Sequence, residues 1–175
     1  MDDQAQKMRA KGRKHRWFVR IVLVVSIVAV IYVRWHSMPA VAWRALNDAD
    51  RYELLSIEPD RTEFDPARSE SGFYFHRILG RTVITDPAVR NRLNRALEAG
   101  VRQGANPAAC FNPRHGIRVS SNGETTDFLI CFECSQVAVR RGDRTVANFL
   151  TSNAPQVEFD QVLRAAGIPL AREKP

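Results

Sequence analysis

Three cysteines and a histidine, Cys110, His115, Cys131 and Cys134, stand in the pattern C-x4-H-x15-C-x2-C. Thiolate and imidazole are zinc's usual protein ligands, so four of them in one run could close a tetrahedral site. Strand geometry works against it. If Cys131 and Cys134 share one continuous strand, their odd separation sends the side chains to opposite faces, and a shared metal requires a turn at Phe132-Glu133. The C-x-x-C spacing also suits thiol-redox chemistry, but such motifs work at a helix amino terminus, where the dipole lowers a thiol pKa. No helical pattern follows Cys134.

A disulfide is the third use of these residues. Asn122-Gly123 is a strong signal for a two-residue hairpin loop. Such a loop sets Ser121 opposite Glu124 and, if the strands ran on, Cys110 within one residue of Cys134. Pro113 requires a bulge or break on that path. In an oxidising compartment a Cys110–Cys134 bond would close a loop of about two dozen residues and contribute roughly 3 kcal/mol in the chain-entropy account. Cys131 would then be a buried free thiol pointing away from both; three unpaired buried thiols are the remaining possibility. Asn112, Arg114, His115 and Glu133 form a polar cluster beside the cysteines. It could bind an anion or hold a general base, or simply satisfy loop backbone groups. The chain has no Gly-rich phosphate loop, nucleophile elbow, H-E-x-x-H or telling carboxylate pair, so no catalytic residue is assigned and no cofactor is implied beyond the zinc alternative.

The elements that must position these residues are readable from periodicity. A short helix is expected over 39–49, then a strand at 52–57 ending at Glu58-Pro59. Residues 60–72 turn polar and read as a loop. Residues 73–85 read as one strand with a bulge near Gly80. Asp86-Pro87 caps a helix whose Val89, Leu93, Ala96, Leu97 and Val101 share a face, stopped at Gly104. The hairpin arms are 116–121 and 125–134, and the apolar run Phe128 to Phe132 suits an interior strand. Strands at 135–140 and 145–151 flank Gly142-Asp143. A last helix begins near Asn153-Ala-Pro155 and stops at Gly167 and Pro169. The fold class is therefore α+β: an antiparallel sheet of four or more strands with two amphipathic helices on one face, preceded by one transmembrane helix.

The segment Ala109-Cys-Phe-Asn-Pro-Arg-His-Gly116 followed by Cys131-Phe-Glu-Cys134 resembles one found in uncharacterised bacterial exported or membrane-anchored proteins, over about Glu53 to Leu170. The resemblance implies a bacterial envelope setting and carries no activity and no catalytic residue.

Charge and hydropathy point to the same compartment. Residues 1–20 carry seven Lys and Arg against two Asp, so five of the seven net positive charges sit in an amino-terminal arm. The body is nearly neutral and has no basic patch with interleaved aromatics, which argues against a nucleic-acid partner. The run from Ile21 to Val33 has no charge. Extended through Trp17, Phe18, Val19 and Trp35 it reaches the length of a membrane span, with Arg20 able to snorkel and Trp17, Tyr32 and Trp35 at belt positions. By the positive-inside rule the amino terminus is cytoplasmic. A buried core helix and a signal peptide cleaved after Ala40-Val41-Ala42 are the competing readings. The expected organisation is a basic arm at 1–16, a signal anchor at 17–36, a short helix and linker at 37–51 and an extracytoplasmic domain at 52–175. The expected function is a single-pass interaction or structural module of the inner membrane, partnered by the bilayer and an envelope protein; the alternative is a zinc-binding or thiol-redox domain.

Overall fold

A computed structural model of the chain describes residues 17, 19–28, 37–59 and 72–172. The chain divides into two compact units, Met1–Ser37 and Met38–Pro175. In the first, residues 19–28 are helical. Among the described residues no helix is long and apolar enough to cross a membrane. The basic arm, Phe18, and residues 29–36 with Tyr32 and Trp35 lie outside the described residues, as do residues 60–71 of the loop expected at 60–72, whose last residue, Gly72, is in a short strand.

The second unit is α+β. Its elements are α1 (Ala40–Asn47), β1 (Arg51–Ile57), β2 (Gly72–Phe73), β3 (His76–Val83), α2 (Pro87–Gln103), β4 (His115–Ser121), β5 (Glu124–Cys131), β6 (Gln136–Arg141), β7 (Arg144–Leu150) and α3 (Gln156–Ala165). The strands form one sheet in the order β2-β3-β1-β4-β5-β6-β7, and every neighbouring pair is antiparallel. From β4 to β7 the chain is a meander whose tight turns follow the local sequence. Asn122 and Gly123 both take positive φ (51° and 80°), the conformation an Asn-Gly turn requires, and Ser121 faces Glu124.

All three helices pack on the same face of this sheet. Ala42 and Leu46 of α1, Leu93 and Leu97 of α2, and Phe159 and Leu163 of α3 share one apolar core with Tyr52, Leu54, Ile117, Phe128, Ile130 and Val139. The helix at 40–47 is thus part of the folded unit. Helix α2 starts where the sequence dictates: the Asp86 carboxylate accepts from the Ala88 N–H at 2.8 Å, with Pro87 in the first turn.

The opposite face has its own smaller core of Leu55, Ile57, Leu129 and Phe73. Here the structure corrects the sequence reading, which made 73–85 one strand. Tyr74 and Phe75 both adopt left-handed φ (52° and 69°), so the chain reverses and Phe73 lies in a separate short strand against His76. The expected bulge does occur: between Ser56 paired with Gly80 and Ile57 paired with Ile78 the register shifts by one residue. Phe73 settles over Gly116, where a Cβ would stand 2.8 Å from the Phe73 Cε1. Covered on both faces, β1 is buried at every position but its first.

Candidate functional site

The cysteines meet where β5 ends. The strand stops at Cys131 and the chain turns through residues 132–135, with Ser135 at φ 57° and its N–H on the Phe132 carbonyl at 3.1 Å. Cys134 therefore leaves the strand, and the opposite-face argument no longer applies. Its Cα comes within 5.2 Å of the Cys131 Cα and the two sulfurs are bonded, while its backbone N–H donates to the Cys131 sulfur at 3.0 Å.

The segment before β4 runs alongside this turn. Arg114 N–H donates to the Ile130 carbonyl and Ala108 N–H to the Cys134 carbonyl, both at 3.2 Å. The Gln136 amide donates to the carbonyls of Ala108 and Cys110 at 2.6 and 3.2 Å. These ties bring the Cys110 sulfur to 2.7 Å from that of Cys134, and the Asn112 N–H to 3.4 Å from the latter. Cys110 and Cys134 are close neighbours, although both lie beyond the ends of the hairpin strands at His115 and Cys131 and the strand register does not carry through to them. The bond nevertheless joins Cys134 to Cys131, which does not point away, and Cys110 is the free, half-buried cysteine. What the sequence reading missed was the turn, whose local signal is the polar Glu133 and small Ser135 after an unbroken apolar run.

His115 does not join the sulfurs. Its Nε2 lies 2.7 Å from Asp160 Oδ1 on α3, and its ring packs edge-on against Phe132 and Phe159 with centroids 5.2 and 6.0 Å away. The ring is buried, and its Nδ1 has no hydrogen-bond partner. Among the described residues no group of three or more His, Cys, Asp and Glu side chains is placed to hold a metal ion.

The four polar residues singled out in the sequence do line one cleft. Asn112, Arg114, His115 and Glu133 surround a space of about 310 Å³ together with Phe132, Asn153 and Gln156. Arg114 is committed within it: one guanidinium nitrogen donates to the Arg172 carbonyl at 2.9 Å and another to Glu133 at 3.1 Å. It thereby ties the carboxyl-terminal segment and the cysteine turn to the start of β4. Asp160, also 3.6 Å from Arg164, and the side-chain amides of Gln156 on α3 and Asn153 just before it were not foreseen; only the fold brings α3 over β4.

A second polar array lies on the other face of the sheet. Arg118 makes a two-pronged contact with Asp127 at 2.8 and 3.0 Å, and the Tyr74 hydroxyl donates to the same carboxylate at 2.8 Å. Arg140 covers the Tyr74 ring at 4.5 Å and Arg118 the Phe73 ring at 5.2 Å. Burial and the anionic Asp127 beside it push the Tyr74 phenol up to about 12. Asp127 raises the already high Arg118 further.

Of the residues expected in a membrane anchor, Trp17 and Arg20 are described, both helical and exposed. Comparison with protein-family models, with curated proteins and with solved structures finds no match.

Proposed function

We propose that this chain is a single-pass membrane protein of the bacterial envelope that presents its α+β unit outside the cytoplasmic membrane as an interaction module. One observation carries the reading: the helical residues 19–28 expose large apolar side chains all around, with Leu23 and Val24 each 58% exposed and Val25 60%. Holding such side chains in water costs about 1 kcal/mol or more apiece, which lipid contact removes. The seven basic residues of the first twenty favour a cytoplasmic amino terminus.

The surface offered to a protein partner is the β7 edge. That strand is outermost in the sheet, and Val146 and Leu150 are 39% and 40% exposed, so an extended segment of an envelope protein could add to it. The test is membrane topology of the full chain. Retention in membranes after alkaline carbonate, an uncleaved amino terminus by intact mass, and activity of an alkaline phosphatase fused after Pro175 are expected. A chain released by carbonate, or an inactive fusion, overturns the proposal. Photo-cross-linking from Val146 in intact cells should give adducts that the same probe at Val157 does not.

A further inference from the structure

We propose that Cys110, Cys131 and Cys134 form a three-sulfur exchange relay in which Cys110 is the port for external thiols. This goes beyond the interaction module above and is independent of it. The argument rests on access and hydrogen bonding. Cys131 and Cys134 are 1% and 0% exposed, whereas Cys110 is only half-buried, so a solvent-borne thiol reaches the buried pair through Cys110. The Cys110 sulfur sits 2.7 Å from Cys134, the sulfur it would attack. The sulfur that would leave, on Cys131, accepts the Cys134 N–H at 3.0 Å, a contact that stabilises negative charge there.

The internal step is an isomerisation. Cys110 gives its proton to water and its sulfur lone pair forms the Cys110–Cys134 bond. The Cys131–Cys134 bond breaks with its electron pair passing to Cys131, which takes up a proton. No net oxidation occurs. In the isomer so formed, the half-exposed Cys110 sulfur is one end of the disulfide. An external thiolate attacks it, forming a mixed disulfide on Cys110 and releasing Cys134 as thiolate, toward which the Asn112 N–H is directed. A second external thiolate then attacks the external sulfur of that mixed disulfide. The external pair leaves as a disulfide and Cys110 is freed, so the protein gains the two electrons that the two thiols lose. The ligand class is a thiol, either a small molecule or a cysteine of an exported protein.

The test uses the full chain in detergent, oxidised, with acid quenching, alkylation and peptide mass mapping. Cys131→Ser should be recovered with a Cys110–Cys134 disulfide; two free thiols in that variant overturn the relay. In the native chain, glutathione should appear first on Cys110, and Cys110→Ser should slow reduction of the Cys131–Cys134 bond at least tenfold. Unchanged reduction, or a first adduct on Cys131 or Cys134, overturns it. If Cys110→Ser does not fold, native protein alkylated at Cys110 serves instead, with the same expected slowing. A reduced cysteine-containing protein offered in parallel distinguishes a protein thiol from a small one by which forms the Cys110 adduct faster.

Discussion

The Tyr52 hydroxyl donates to the Asn94 side-chain oxygen at 3.2 Å, joining β1 to α2 inside the core, and Asn94 in turn donates to the Leu46 carbonyl of α1 at 3.3 Å. One amide thus links a strand and two helices away from water. Tyr52→Phe keeps the ring and deletes the donor that the Tyr52 hydroxyl supplies to that oxygen, which costs about 1 to 2 kcal/mol. The expected result is a lower urea midpoint with an unchanged slope; an unchanged midpoint refutes the link.

Gly100, inside α2, gives a prediction of opposite sign to helix propensity. In an exposed helix Gly→Ala gains about 1 kcal/mol. Here a Cβ would meet Thr151 Oγ1 at 2.5 Å and Pro155 Cγ at 2.6 Å. Gly100→Ala is therefore expected to destabilise by about 1 to 3 kcal/mol, read as a lower thermal midpoint. A stabilised variant would mean that the segment before α3 yields freely.

Tyr74 provides a pH signature. Its phenol is pushed up to about 12 in the folded chain, against 10 when unfolded. A raised folded pKa means the folded state holds the proton more tightly. Its contribution is complete below pH 10 and is lost as pH rises from 10 through 12. Phenolate absorbance should show Tyr74 titrating near 12, and Asp127→Asn should lower that midpoint by removing the carboxylate that raises it. An unmoved midpoint would leave burial as the whole cause.

How much of this was legible beforehand depended on how local each signal was. Asn122-Gly123, Asp86-Pro87 and Gly142-Asp143 each set a boundary through backbone chemistry contained in two residues, and those boundaries fell within one residue of where they were expected. The Tyr74-Phe75 reversal did not announce itself, because its supports are distant in sequence: the preceding Phe73 covers Gly116 and Tyr74 meets Asp127, while Phe75 itself is exposed. The cysteine turn was misread for a similar reason. Apolar composition continues through Phe132, but the strand does not, and parity arguments hold only while a strand lasts. The polar cleft was half visible, since Asn112, Arg114, His115 and Glu133 are near in sequence, whereas Asp160 arrives with α3.

That arrival is itself testable. Asp160→Ala leaves buried His115 with neither ring nitrogen paired, because its Nδ1 already lacks a partner. The expected loss is about 1 to 3 kcal/mol, with Asp160→Asn losing less because its side-chain oxygen can still accept. Equal losses from the two variants would show that charge, rather than the hydrogen bond, holds α3 to β4.

The position of β1 also sets the order of assembly. It is the first strand among the described residues, and it pairs on one side with β3 and on the other with β4, where Tyr52 faces Val119. The meander β4 to β7 closes through short turns, but β1 must await a strand more than sixty residues downstream, as the pairing of Tyr52 with Val119 requires. Loop-closure entropy then makes its docking the slow event of folding. Until β4 arrives, β1 can hold its pairing with β3 but keeps its other edge open, and that apolar edge is the stretch a chaperone would have to guard.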